Sequence, residues 1–169
     1  MLKSRAVCVS ALRCNVSCNS ITTAGGALPW VNNFRYLGIV LVQSRNFRCS
    51  LSDAKKSFYR SLNAIFGRIG RQSSEEVVLQ LMSSKCLPIL LYGLEACPLN
   101  KSDLNSLDFA VNRFLMKLFK TINVDIIAEC RSFFNVPLPS CSISHRADTF
   151  VKKYSNCGNA LCKILAGIG

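Results

Sequence analysis

Acidic residues are scarce in this 169-residue sequence: nine Asp and Glu stand against 21 Lys and Arg, a formal net charge of +12. The acids are Asp53, Glu75, Glu76, Glu95, Asp103, Asp108, Asp125, Glu129 and Asp148, and no Asp-Asp pair follows a strand to hold two divalent metals for nucleotidyl transfer. Histidine occurs once, at His145, so a histidine general base lacks an evident partner and a surface or helix-cap role is the plainer reading. No run approaches the roughly 18 apolar residues that cross a bilayer, and no membrane partner is expected. No unbroken apolar stretch follows Lys3 and Arg5, which argues against a secretory signal and for a reducing, intracellular setting, cytoplasmic or nuclear. Internal repeats and low-complexity tracts are lacking as well.

What is present is a composition 50% hydrophobic and 18% charged, enough apolar surface for a core and far from the signature of disorder. The charge is unevenly spread. Residues 1–72 hold eleven basic residues and one acid, Asp53, a net of +10; residues 73–169 hold ten basic and eight acidic, a net of +2. A basic excess of this kind points to a polyanion, of which nucleic acid is the commonest. The ten cysteines read mainly as small buried hydrophobes. Cys8, Cys14 and Cys18 form one group and Cys141, His145, Cys157 and Cys162 another, yet neither supplies the two short Cys pairs of a structural zinc site. No metal and no cofactor are expected.

The hydrophobic period divides the chain. Residues 1–48 read as extended, with a short strand at Ala6 to Val9, punctuation at Gly25-Gly26 and Pro29, and a second strand over Phe34 to Val42 in which Gly38 marks a bulge or close backbone approach. From Ser50 the period becomes helical: Ser50 with Asp53 fits a capping box, and Ala54, Phe58, Leu62, Ile65 or Phe66, and Ile69 follow at three- and four-residue spacing. Ser73 with Glu76 opens a second helix through Val77, Val78, Leu81, Met82 and Lys85, which Pro88 should kink or restart. A third is predicted from about Lys101 to Lys120, capped by Asn100 and Asp103, with Leu104, Leu107, Phe109 or Val111, Phe114, Leu115 and Leu118 along its apolar side. A fourth spans about Val124 to Phe134, stopping before Pro137 and Pro139, and the tail from Ile143 to Leu165 gives a fifth. The predicted fold is α+β, with short N-terminal antiparallel strands over 1–48, a mainly helical bundle over 49–134 and a cysteine-containing tail over 135–169.

No constellation for catalysis emerges, so no catalytic residue is assigned. Gly67-Arg68-Ile69-Gly70-Arg71 lacks the Lys-Ser or Lys-Thr ending of a phosphate-binding loop and follows a helix instead of a strand, so it reads first as a helix stop. The stronger candidate is the outer face of the first helix, Lys55, Lys56, Arg60 and Arg68, with Arg45 and Arg48 before it and Arg71 after. Such a row can lie along a duplex backbone, each phosphate contact adding affinity that salt removes. A solvated face kept for solubility is the bland alternative. Tyr36 and Tyr59 could stack or touch sugars, although aromatics at this spacing more often belong to a core.

Four segments, Lys3-Ser4, Phe34-Arg35-Tyr36-Leu37-Gly38, Ala54-Lys55-Lys56-Ser57-Phe58-Tyr59-Arg60 and Cys86-Leu87-Pro88-Ile89-Leu90-Leu91-Tyr92-Gly93-Leu94-Glu95, give the chain a resemblance to the end of the reverse transcriptase of non-LTR retrotransposons of the long interspersed class, over roughly residues 1–134. The resemblance implies that Lys3 and Ser4 match the last palm motif, that Tyr36, Leu37 and Gly38 match the primer-grip strand, and that residues from about 50 to 120 match the helical thumb. A thumb holds RNA–DNA or DNA duplex by its backbone without preferring a sequence. The palm strands that carry the family's metal-binding aspartates would precede residue 1, and the tail lacks its compact zinc-knuckle spacing. The expectation is therefore a polymerase fragment that binds template–primer duplex nonspecifically and is inactive alone. A helical structural or protein-interaction module, in which the charge is incidental, is the alternative.

Overall fold

The computed structural model describes residues 31–44, 47–69 and 72–160, together with the backbone of β1 (Thr22–Thr23) and β2 (Gly26–Ala27). The expected strand at Ala6 to Val9 lies outside the described residues. β1 and β2 form a minimal antiparallel pair, Thr22 opposite Ala27 and Thr23 opposite Gly26.

The apolar run Phe34 to Val42, expected as one strand, is a hairpin. β3 (Asn33–Tyr36) and β4 (Ile39–Val42) pair antiparallel from Asn33 opposite Val42 to Tyr36 opposite Ile39, leaving Leu37 and Gly38 as a two-residue turn. Both have positive φ, 46° and 87°, the mirror-image turn whose twist matches that of the flanking strands. Gly38 thus serves a turn and not a bulge, since only a residue without a Cβ accepts this conformation cheaply. Leu37 accepts it at a cost, and is 72% exposed. β5 (Arg48–Ser50) adds to the other edge of β4, with Val42 opposite Arg48 and Val40 opposite Ser50, so the sheet order is β3-β4-β5.

The chain divides into two units, one holding the strands and residues 97–99, the other residues 52–96 and the chain from 100 on. The architecture is α+β, a short N-terminal antiparallel three-stranded sheet followed by a mainly helical bundle.

In the helical unit α1 spans Ser52–Ile69 and buries Phe58 and Leu62. Ser50, expected as its cap, instead closes β5, and the helix begins two residues later. α2 (Glu75–Leu81) has Ser74, not Ser73, at its N-cap in extended conformation, with no side-chain cap hydrogen bond; Glu75 and Glu76 in the first turn complement the helix dipole. Of the expected apolar set Val78 and Met82 are buried, while Val77 is exposed and Leu79 is buried in addition.

A fresh helix start at Pro88, one of the two outcomes expected, is what the structure has: after α2 comes a π turn (Met82–Cys86), and α3 (Leu87–Leu90) then begins with Pro88 in its first turn. The Leu87 N–H donates to the Met82 carbonyl five residues back. The widened turn lets the chain pass the proline, whose ring would collide with the carbonyl four residues earlier in a regular helix. Val78, Met82, Cys86, Leu90 and Leu94, spaced every four residues, are all buried, as are Leu79, Leu87 and Leu91. A 3-10 turn (Leu94–Ala96) ends the segment.

α4 (Lys101–Phe119) opens on a capping box: the Asp103 N–H donates to Asn100 Oδ1 at 2.7 Å and the Asn100 N–H to Asp103 Oδ2 at 3.3 Å. It buries Leu107, Ala110, Val111, Phe114, Leu115 and Leu118, while Phe109 is exposed, and Lys120 ends it in the left-handed region at φ 53°. α5 (Val124–Phe133) is capped by Asn123, whose Oδ1 accepts from the Asp125 N–H at 2.8 Å. α6 (Pro139–Ser155) starts a turn earlier than expected, since Pro139 takes a first-turn position where its missing donor costs nothing. Asp108 of α4 accepts the Ser140 N–H there at 2.9 Å. α1 packs on α2, the π turn and α3; α4 packs on α5 and α6; α6 also meets the 3-10 turn.

Replacing Leu37 by Asn, which tolerates positive φ, should stabilise the hairpin by about 0.5–1 kcal/mol, whereas Gly38→Ala should destabilise it by about 1 kcal/mol or more. Amide hydrogen exchange across the β3–β4 pair reads both; slower exchange in Leu37→Ala than in Leu37→Asn would contradict the turn geometry.

Candidate nucleic-acid interface

A cationic surface forms where α1 and α4 run side by side. Lys55 Nζ donates to Ser106 Oγ at 2.7 Å, and eleven residues further along both helices Lys117 Nζ lies 5.1 Å from the centroid of the Phe66 ring. Both pairs are separated by 51 residues, so the two helices point the same way and stay adjacent for about 16 Å of axis. Phe66 also meets Phe114 edge-on at 6.4 Å, at an interplanar angle of 87°. Between these contacts sits Tyr59. Burial pushes its phenol above the ordinary value, and the Arg113 guanidinium of α4 draws it back part of the way.

This packing redistributes the basic row expected on α1. Lys56 and Arg60 remain exposed on one stripe, about 40° apart around the helix. Lys56 approaches Asp53 at 4.0 Å, an exposed pair of the kind that contributes little. Lys55 lies about 100° from Lys56, is half-buried, and is committed to Ser106; it is a seam residue and not part of the open face. Arg68 is exposed but turned about 80° beyond Arg60, away from the α4 side. Arg48 is exposed on β5 in the strand unit, where Tyr36 ends β3 and Leu37 and Gly38 form the hairpin turn. Lys3, Arg45 and Arg71 lie outside the described residues, as do Gly70 and the first cysteine group.

In place of Lys55, α4 contributes Arg113, Lys117 and Lys120, all exposed. Arg113 and Lys117 are not among the candidate residues read from the sequence, and Lys120 enters there only as the end of the third helix. Their spacing was the available signal: 109, 113, 117 and 120 recur at helical intervals opposite the apolar stripe, with no acid among them. Asp108 is engaged at α6 and Asp103 in the cap. Arg113 and Lys117 thus stand beside Tyr59 and Phe66 of α1, the helix that also exposes Lys56 and Arg60.

Among the described residues no group of three or more His, Cys, Asp and Glu side chains is assembled that could hold a metal. Cys141 and His145 stand one turn apart on α6, both exposed, and Cys162 lies outside the described residues. Burial raises the Cys86 thiol above its ordinary value. No described helix is long and apolar enough to cross a membrane. A cleft of about 630 Å³ lies between α2 and the end of α5, lined by Glu76, Leu79, Gln80 and Ser83 and by Phe133 to Val136.

Two measurements follow from the seam. Lys55→Ala should cost about 1 kcal/mol of stability by stranding Ser106 and opening the contact, against near zero for Lys56→Ala; equal losses in urea titrations would contradict this placement. Because the folded state holds the Tyr59 proton more tightly than the unfolded chain, its contribution is complete below about pH 10 and is lost as pH rises through the folded value. Removing the opposing guanidinium in Arg113→Ala should raise that value further, read at 295 nm against Tyr59→Phe.

No family model matches the chain, and no curated protein or solved structure matches it either.

Proposed function

We propose that this chain binds nucleic-acid duplex by its phosphate backbone, without sequence preference, through the joined basic surface of α1 and α4. The observation that supports the reading is that Lys117 of α4 lies over Phe66 of α1 and Arg113 of α4 acts on Tyr59 of α1, so the cations of α4 come beside the helix that also exposes Lys56 and Arg60, although the helices are some fifty residues apart in sequence. Charges gathered from separate segments, with Asp103 and Asp108 of α4 engaged elsewhere and Asp53 the one carboxylate beside Lys56 among the described residues, create an attractive potential for a polyanion. Their side chains reach phosphates and need not read base edges, which suits binding that ignores sequence.

The resemblance to the thumb of an RNA-directed DNA polymerase supports a template–primer duplex, RNA–DNA or DNA, as the ligand. None of the four segments that carry that resemblance contains an aspartate, so the chain is proposed to hold the duplex and not to extend it. A second reading, a protein-interaction module, draws on the exposed Ile122, Val124, Ile126 and Phe133 of the α5 region, at 89%, 60%, 44% and 80% exposure. The two readings use different surfaces.

Affinity for a blunt duplex of mixed sequence should fall by about 10²-fold or more between 50 and 200 mM salt. The paired reversals Lys56→Glu/Arg60→Glu and Arg113→Glu/Lys117→Glu should each abolish most binding with helicity unchanged by circular dichroism. Retention of duplex by both variants, or salt-independent failure of the native chain to bind, would overturn the reading and leave the α5 surface as the functional one.

A further inference from the structure

Phe109 stands at the head of the α4 cationic stripe, one turn before Arg113 and two before Lys117. It is 58% exposed, and it makes no ring–ring or ring–cation contact with any described residue. The other aromatic residues of the seam are occupied: Phe66 carries Lys117 on its face and Phe114 at its edge, and Tyr59 meets Phe58 and faces Arg113. Phe109 is also the position where the apolar period of α4 could have placed a core residue, and the helix turns it outward while Val111 and Ala110 go in.

Phosphate binding alone does not need this ring. A blunt duplex shows charge along its sides and keeps its base faces stacked inside, so a bare phenyl group beside Arg113 gains nothing from it. An unpaired base does present an apolar face. Cations at about 6 Å intervals along one helix edge, ending on a free aromatic ring, are the two parts of a single-strand site: a charged track for the backbone and a platform for a base. We propose that Phe109 stacks an unpaired nucleobase while Arg113, Lys117 and Lys120 hold the adjoining phosphates, so that the surface favours single-stranded nucleic acid, or the single-stranded end of a duplex, over blunt duplex. The inference rests on the basic surface proposed above and adds its preferred ligand.

The test is fluorescence anisotropy of the full chain with a labelled single-stranded oligonucleotide and a blunt duplex of equal length, both of mixed sequence, at one fixed ionic strength. Phe109→Ala should weaken single-strand binding by about 5- to 100-fold and duplex binding by less than about twofold, while Phe109→Trp keeps the single-strand affinity. Since the side chain is exposed and Ala favours helix, circular dichroism should be unchanged. Equal effects of Phe109→Ala on both ligands, or none on either, would overturn the stacking role. If Arg113→Glu/Lys117→Glu still abolishes duplex binding in that case, the basic surface stands and only its aromatic part fails; if the native chain binds neither ligand, both fail.

Discussion

The contact between α1 and α4 is the constraint on which the rest of the molecule depends. It is built from a lysine–hydroxyl hydrogen bond at one end and a lysine–phenyl contact at the other, with an edge-on aromatic pair beneath. Each contact is modest alone, yet together they fix the relative rotation of two helices whose buried Phe58, Leu62, Leu107 and Leu115 make the core. That rotation decides which charges reach solvent side by side. A basic residue drawn into the seam leaves the open surface and one on the rim joins it, so the exposed cationic surface is a consequence of packing and not of the basic row on α1 alone.

The segment through Pro88 is governed by packing as well. Side chains from Val78 to Leu94 are buried on both sides of the π turn at Met82–Cys86, which widens the backbone just ahead of a proline that needs room. The segment packs along α1 through α2, the π turn and α3.

Much of the fold was legible, and its misreadings have physical causes. The capping box at Asn100 and the period of α4 located that helix almost to the residue, because cap chemistry and periodicity agree there. The hairpin was read as one strand because Leu37 stands where Asn or Asp usually announces such a turn, leaving Gly38 as the lone signal. Pro139 was read as a breaker when it is a helix start, a choice that depends on what precedes it. The candidate site was legible only on α1. Lys55 and Lys56 are neighbours in sequence but sit about 100° apart on the helix, and only tertiary packing shows that one faces Ser106 and the other faces water. Arg113 was missed because α4 was searched for its apolar side, while its polar side carried the second half of the surface.

Differential lysine acetylation, with and without saturating nucleic acid and read residue by residue by mass spectrometry, tests the central claim most directly. The account predicts that Lys56, Lys117 and Lys120 lose reactivity together, while the exposed Lys85 of the π turn and Lys152 and Lys153 of α6 remain reactive. Protection of Lys85, Lys152 and Lys153 with Lys56 and Lys117 left reactive would contradict it, placing the ligand elsewhere and reducing the α1–α4 surface to a solvated face.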